Sequence, residues 1–334
     1  MNVEKIVNGI TVSVDYKVEL IGLFITLSDE SEKFPTLFCF DESNDLYVRE
    51  LKERFGYLKN NDTFLKFLDF KEKYYWHYDK PIEMMLSLDE NFEFREESNY
   101  KFKDNEEIRN FCRELNVLSE EIKFVEFYNE HRDAYMSWIN SVALVYENYN
   151  IKDTIVSYCG KQYSEYKFYT NLIPFETSGG YGILLEREAH NCLRARKSTH
   201  NNLLFYMENA EFYLPTSIHE YLHSIINPLT AKYNVFTNES KYLMDEENPI
   251  RGYNSDFAMA NETIIRAMAV RIYYLITGVE DEERLNRDEA MGFKYIKLVY
   301  KKLIEYEKDR NKYADIDSFY LEIANAMIDN LQVM

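Results

Sequence analysis

The sequence predicts an α+β protein that is mostly α-helical, with one small sheet and helical lobes flanking it. Three observations support this class. Apolar residues recur at helical spacing over most of the chain, and short alternating segments follow residue 150. Hydrophobic residues make up 46% and aromatic residues 16% of 334 positions, enough to fill a substantial core. This composition excludes a disordered chain.

Residues 1–148 are expected to form a mainly helical N-terminal lobe. A short strand at 10–14 precedes a helix over 15–28, which Asp15 can cap. Five more helices are predicted from apolar spacing, over 45–59, 62–74, 81–88, 104–118 and 120–146.

Residues 149–334 are expected to form a second lobe, packed with the first into one unit. It begins with three short segments that read as strands, at 165–173, 179–186 and 202–207. We expect this small sheet to lie next to the helix that follows it. Beyond a polar loop at 234–254, helices are predicted over 256–276, 281–312 and 315–331, with Gly278 ending the first.

The most informative motif, His219-Glu-Tyr-Leu-His223, lies in an apolar, helix-compatible run. Residues four apart share one face of a helix, so the two imidazoles can bind one metal ion together. This spacing is typical of zinc sites in which the intervening Glu220 holds a water and accepts its proton. The alternative is a core helix whose two histidines are satisfied by hydrogen bonds.

A catalytic zinc site needs a third protein ligand and one open position. No histidine follows His223, which excludes a third histidine close downstream. Glu262 is the strongest candidate, because a carboxylate on an apolar helix is costly to bury unless it is paired or metal-bound. Two alternatives stay open: an upstream histidine, His190 or His200, or a Glu262 that only pairs with Arg266.

These residues resemble the gluzincin metallopeptidases, in which an HExxH helix and a downstream Glu hold zinc. Asn261-Glu262 is similar to the Asn-Glu pair that opens the second motif of thermolysin-like enzymes. Arg266 stands where that motif has an Asp, which in those enzymes orients a zinc-binding histidine. Asn227 and Asp256 are candidates for that orienting role here.

A closer resemblance covers most of residues 10–277. Its segments begin at Val18 (VELIGLF), Tyr78 (YDKPIEM), His219 (HEYLHSIINPL) and Asn261 (NETIIRA). They are similar to a family of bacterial proteins regarded as gluzincin-like zinc peptidases. The resemblance implies a zincin-like catalytic lobe and a zinc ion.

The sequence therefore predicts a zinc metallopeptidase that acts on a peptide or protein substrate. His219, His223 and Glu262 would hold Zn²⁺, and Glu220 would act as general base toward the metal-activated water. Tyr253 is the first candidate for a donor that stabilises the transition state. Other candidates for that donor are Tyr233, Tyr242 and His200.

Other functions and arrangements stay open at this stage. The protein could hydrolyse a non-peptide amide or ester, or it could be an inactive zincin-like binding or scaffold protein. The glycines of 179–186 favour an edge strand that pairs with an extended substrate backbone, with an ordinary hairpin as the alternative.

Composition also limits the partners and the location. A net charge of −19 argues against nucleic acid, because phosphate binding needs clustered Lys and Arg. The 4 cysteines are scattered as in reduced, buried thiols, with a Cys159–Cys192 bridge left open. We expect no membrane partner and a cytoplasmic location, since no spanning segment or secretory signal is visible. Secretion stays open if a leader precedes residue 1.

Overall fold

The structure is a computed structural model that describes residues 2–28, 46–76, 79–173, 180–194, 210–236, 243, 253 and 255–331. It is 67% helical with one small mixed sheet, so the protein is α+β and mostly helical, as predicted. The predicted strand at 202–207 and most of the predicted loop at 234–254 lie outside the described residues.

The chain divides into two compact units. Unit 1 comprises residues 1–145 and 167–210, and unit 2 comprises residues 146–166 and 211–334. The sequence-based division near residue 148 assigned the strands after residue 160 to the second lobe. The structure groups them with the N-terminal residues, because residues 168–171 pair with residues 10–13 in one sheet.

The sheet of unit 1 has the strand order β1-β2-β3-β5-β4. Its strands are β1 (Asn2–Val7), β2 (Ile10–Asp15), β3 (Lys167–Ile173), β4 (Gly180–Leu185) and β5 (Glu188–Arg194). β1 and β2 form an antiparallel hairpin whose turn residues Asn8 and Gly9 both have positive φ, as a tight hairpin turn requires. β3 pairs in parallel with β2 and β5, while β4 runs antiparallel to β5.

Two strands were not predicted, and one prediction is confirmed. β1 is short and exposes Asn2, Glu4 and Ile6. β5 has the polar residues His190 and Asn191 at its centre. Neither strand therefore shows a clear alternation of apolar and polar residues. Among the described strands β4 lies at the edge of the sheet and forms an antiparallel hairpin with β5, as the predicted strand and the hairpin alternative both require, and pairing with a substrate stays a prediction.

Unit 1 also contains most of the N-terminal helices. They are α1 (Tyr16–Leu27), α2 (Leu46–Phe55), α3 (Asp62–Lys73), α4 (Asp79–Leu86), α5 (Glu106–Glu121), α6 (Phe124–Glu130) and α7 (Arg132–Asn148), the last of which ends in unit 2. Asp15 caps α1, as predicted, by accepting hydrogen bonds from the backbone N–H groups of Lys17 and Val18. The single helix predicted over 120–146 is two helices, α6 and α7, which meet at His131.

The described residues of unit 2 contain six α-helices. They are α8 (Ile151–Cys159), α9 (Ala210–Tyr233, from its second residue), α10 (Asp256–Thr277), α11 (Glu282–Ala290), α12 (Ile296–Lys308) and α13 (Ile316–Leu331). α10 packs against α8, α11 and α12. It ends at Gly278, whose left-handed φ of 73° confirms the predicted stop. The helix predicted over 281–312 is divided between α11 and α12, with Gly292 at positive φ in the break.

Three cysteines in the described residues, Cys112, Cys159 and Cys192, are buried free thiols. The bridge between Cys159 and Cys192 is therefore not formed, and Cys39 lies outside the described residues. Of the helices in the described ranges, none combines the length and the apolar character that crossing a membrane requires.

The core of unit 1 contains a buried carboxyl group on α1. Residues 18–27 of this helix are all buried, Glu19 among them, and α1 packs against α2, α4 and α6. The Glu19 carboxyl accepts a hydrogen bond from the Tyr47 hydroxyl, which in turn lies 2.7 Å from the Tyr135 hydroxyl. Burial raises the pKa of Glu19 to about 8, so this carboxyl is protonated at neutral pH.

We expect Glu19 to make the folded state less stable as the pH rises. The pKa of Glu19 is higher in the folded than in the unfolded state, so binding of its proton stabilises the folded protein. This contribution to the free energy of unfolding is complete below about pH 4.5 and is lost as the pH approaches about 8. Glu19→Gln should remove this loss, which has a limiting slope of about 1.4 kcal/mol per pH unit. Chemical denaturation between about pH 5 and about pH 7.5 measures it.

Glu121→Gln, at an exposed position, is the control for the chemical change alone. If the difference in unfolding free energy between wild type and Glu19→Gln stays constant over that pH range, Glu19 is not protonated in the folded protein.

Candidate functional site

Helix α9 brings the two histidines of the motif to one point, as their spacing predicts. The Nε2 atoms of His219 and His223 lie 3.3 Å apart, and the ring planes meet at 75°. His219 is buried and His223 is half-buried. Two ring nitrogens therefore converge on one position at the side of the helix.

Helix α10 brings the Glu262 carboxylate to the same two nitrogens. Its Oε1 lies 3.3 Å from His223 Nε2, and its Oε2 lies 3.6 Å from His219 Nε2. Glu262 is buried, with 7% of its surface exposed. The structure thus assembles three of the sequence-predicted site residues from two helices of unit 2.

Glu220 lies at the edge of this cluster. His219, Glu220 and His223 form a group in which one donor atom of each lies within 4.8 Å of the others, as metal ligands do. The nearest Glu220 oxygen to His223 Nε2 is nevertheless 3.8 Å away, whereas Glu262 approaches both histidines more closely. Of the two carboxylates, Glu262 therefore lies nearer to the pair of ring nitrogens.

The protonation of the cluster follows from burial and from the Glu262 charge. Burial lowers the pKa of His219 to about 4 and leaves its imidazole neutral at pH 7. Burial also acts to lower the pKa of His223, but the neighbouring Glu262 outweighs it and raises that pKa to about 9. Although burial opposes its ionisation, the two histidines hold the pKa of Glu262 well below its usual range. At neutral pH the cluster therefore contains a protonated His223 beside an ionised Glu262.

Arg266, one turn further along α10, contacts the same carboxylate. Its Nε donates to Glu262 Oε2 at 3.1 Å, so the predicted alternative of a Glu262–Arg266 pair exists together with the histidine contacts. Its Nη1 donates to Asp288 Oδ1 at 3.2 Å, and its guanidinium carbon lies 4.4 Å from the Phe293 ring centroid. Asp288 was not predicted, because nothing in the polar sequence of α11 distinguishes it from its acidic neighbours.

Of the two candidates for orienting a histidine, Asn227 lies in the suitable place. Its Oδ1 is 3.3 Å from Nδ1 of His223, one turn away on α9. Asp256 has a different contact, since its Oδ1 accepts the backbone N–H of Leu243 at 2.8 Å. The cap of α10 is Ser255, whose side chain accepts the N–H of Ala258.

Among the four candidates for an additional donor, the structure brings Tyr253 to the cluster. The Tyr253 hydroxyl interacts with the Arg266 side chain, and its ring packs edge-on against Phe293. Burial, followed by the charge of Glu262, raises the pKa of Tyr253, so the phenol is protonated. The Tyr233 hydroxyl is instead bound to Asp317, at 2.6 Å from Oδ1. Tyr242 and His200 lie outside the described residues.

His190, the alternative ligand, lies on β5 in unit 1. Its Nδ1 is 3.0 Å from Asn171 Nδ2, and its ring stacks on Tyr169 with a centroid distance of 4.8 Å. Its Nε2 lies 3.5 Å from Glu188 Oε2. The contacts with Asn171 and Tyr169 link β5 to β3 and make His190 part of the core of unit 1.

A buried hydrogen-bond chain ties the two site helices together. Thr230, two turns beyond His223 on α9, donates to Asn261 Oδ1 at 2.5 Å and accepts a bond from the Tyr320 hydroxyl at 2.8 Å. Asn261 immediately precedes Glu262 on α10. The chain therefore sets the position of α10, and with it Glu262, relative to the histidine helix.

The chain belongs to the family described as a domain of unknown function, DUF4932. The model of this family matches residues 95–326, more than two-thirds of the chain. The matched range includes His219, Glu220, His223 and Glu262. Among curated proteins and among solved structures, no significant match to the chain exists.

We expect Thr230→Val to destabilise the protein by about 1–3 kcal/mol, because it leaves the buried Asn261 oxygen and Tyr320 hydroxyl without their shared partner. The loss should be visible as a lower denaturation midpoint. Thr154→Val, which also removes a hydroxyl bonded to the carbonyl four residues earlier but at an exposed site, is the control. Equal effects of the two changes would contradict a tethering role for Thr230.

Proposed function

We propose that this protein is a zinc-dependent metallopeptidase of the gluzincin type. In this proposal His219, His223 and Glu262 bind the metal, Glu220 is the general base and Tyr253 is the oxyanion donor. The observation that carries the proposal is the convergence of two imidazole nitrogens and one carboxylate, from two helices, on a single position.

The spacing of these donor atoms fits a zinc ion. Ligands at about 2.0–2.2 Å from a tetrahedral zinc are about 3.3–3.5 Å from one another. The two Nε2 atoms are 3.3 Å apart, His223 Nε2 lies 3.3 Å from Glu262 Oε1, and His219 Nε2 lies 3.6 Å from Glu262 Oε2. Two imidazoles and one carboxylate at such distances would hold the ion and leave a position for water or substrate.

The hydrogen bonding of His223 also suits a metal ligand. The Asn227 oxygen faces Nδ1 of this imidazole, and an amide oxygen can only accept a hydrogen bond. It therefore favours a proton on Nδ1, which leaves the Nε2 lone pair for a metal. A cation among these donors would also satisfy the charge of Glu262 that otherwise favours a proton on His223.

The residues around this position can perform hydrolysis. A bound zinc ion would polarise the scissile carbonyl group and lower the pKa of a water molecule. Glu220 is buried at the edge of the cluster, outside the best ligand set, so its carboxylate can take the proton of the attacking water and pass it to the leaving amine. In the contact between Arg266 and Tyr253, arginine can only donate. The phenol proton therefore stays available for the oxygen that becomes negative in the transition state.

The proposal of a peptide substrate rests on the resemblance to gluzincin peptidases. Hydrolysis of another amide or an ester uses the same groups, and a panel of peptides and small amides separates these activities. The proposed location is the cytoplasm, where free thiols such as Cys112, Cys159 and Cys192 stay reduced.

Two substitutions of glutamate should separate metal binding from catalysis. Glu262→Ala should weaken zinc binding more than about 100-fold, because loss of an outer hydrogen-bond partner alone costs about 10–100-fold. Glu220→Gln should retain zinc and lose turnover, because the amide cannot accept the proton. Competition with a chromophoric chelator measures affinity, and a peptide library measures turnover.

A wild-type protein without affinity for zinc would refute the proposal. Turnover that survived in Glu220→Gln would remove Glu220 from the role of base. A protein that binds zinc and cleaves neither peptides nor small amides would favour the inactive binding protein.

Tyr253→Phe should lower kcat about 10²–10³-fold and leave zinc affinity unchanged, because the phenol would act only on the developing oxyanion. Tyr233→Phe removes a hydroxyl that is bound to Asp317 and is the matched control. Equal kcat values for Tyr253→Phe and wild type would exclude Tyr253 as the donor.

A further inference from the structure

We infer that Arg266 is a positioning residue that restricts Glu262 to one metal-facing oxygen, and that Asp288 holds Arg266 in place. This inference rests on the proposed zinc site and specifies how its carboxylate ligand binds.

The two oxygens of Glu262 have different surroundings. Oε2 accepts a hydrogen bond from Arg266 Nε at 3.1 Å and lies 3.6 Å from His219 Nε2, whereas Oε1 lies closer to a ring nitrogen, 3.3 Å from His223 Nε2. A carboxylate that accepts no hydrogen bond from an arginine can bind a metal ion through both oxygens, which raises the coordination number of the metal. With Oε2 engaged by Arg266, Oε1 is the oxygen left for a monodentate bond, which preserves a four-coordinate site.

The guanidinium of Arg266 has little freedom to leave this position. It is held by Glu262 on one side and by Asp288 on the other, and it lies against the Phe293 ring. The Arg266 side chain is 19% exposed and that of Asp288 is 1% exposed. A planar guanidinium held by two carboxylates presents its Nε–H in a fixed direction.

Asp288 also adds negative charge near the proposed metal site. An arginine paired with Glu262 alone would cancel most of the negative charge that attracts a metal ion. Because Arg266 is shared with the buried Asp288, the charge of Arg266 is not available to Glu262 alone. Within the described residues the second oxygen of Asp288 has no hydrogen-bond partner, and the charges that act on this carboxylate include Arg266 and Arg284.

The test uses the visible absorption of the full-length protein loaded with Co²⁺ in place of Zn²⁺. Four-coordinate Co²⁺ absorbs visible light several-fold more strongly than five-coordinate Co²⁺. We compare wild type with Arg266→Met and with the double variant Arg266→Met/Asp288→Asn, which removes the ion pair without leaving a buried charge alone. Both variants should show several-fold weaker bands, because Glu262 then binds through both oxygens.

Arg271→Met/Glu307→Gln is the matched control. It removes the ion pair between another arginine of α10 and a glutamate of α12 without changing a contact of Glu262, and its Co²⁺ spectrum should equal that of wild type. The inference is wrong if both Arg266 variants keep the wild-type spectrum, or if the control variant changes as much as they do. In either case the proposed zinc site is unaffected. A wild-type protein that binds neither ion would overturn the proposed function, and this inference with it.

Discussion

The carboxylate of Glu262 is ionised in a place that water hardly reaches, and the described part of the site is arranged around its charge. An isolated charge in such a place would cost several kcal/mol, so positive groups or hydrogen-bond donors must surround it. His219 and His223 approach it from α9, and Arg266 approaches it from its own helix. The same constraint explains Asp288, which balances Arg266 in turn. These five ionisable residues therefore form one electrostatic group.

This group depends on the register between two helices. α9 and α10 are distant in sequence, and a shift of α10 by one residue would turn Glu262 away from the histidines. The Thr230–Asn261 bond lies beside the cluster and fixes that register within buried surroundings. α10 also packs against α8, α11 and α12, so the carboxylate is carried by a helix that is supported by three others.

Two buried glutamates show how surroundings decide protonation. Glu19 in unit 1 has neutral tyrosine hydroxyls as partners, and burial raises its pKa to about 8. Glu262 in unit 2 has imidazoles and a guanidinium as partners, and its pKa stays well below the usual range. The first glutamate is therefore a neutral core group, whereas the second can serve as an anionic ligand.

The sequence by itself determined the features that short-range geometry controls. Helical spacing alone places His219 and His223 on one face, and the caps at Asp15 and Gly278 follow from local backbone preferences. Glu262 was recognisable because an acidic residue on an apolar helix needs a partner. The tertiary structure alone decided which groups meet it: Arg266 shared with Asp288, Thr230 bound to Asn261, and the pairing of β2 with β3 that joins distant segments in unit 1. These contacts link residues far apart in the chain, where side-chain type and spacing carry no information about distance.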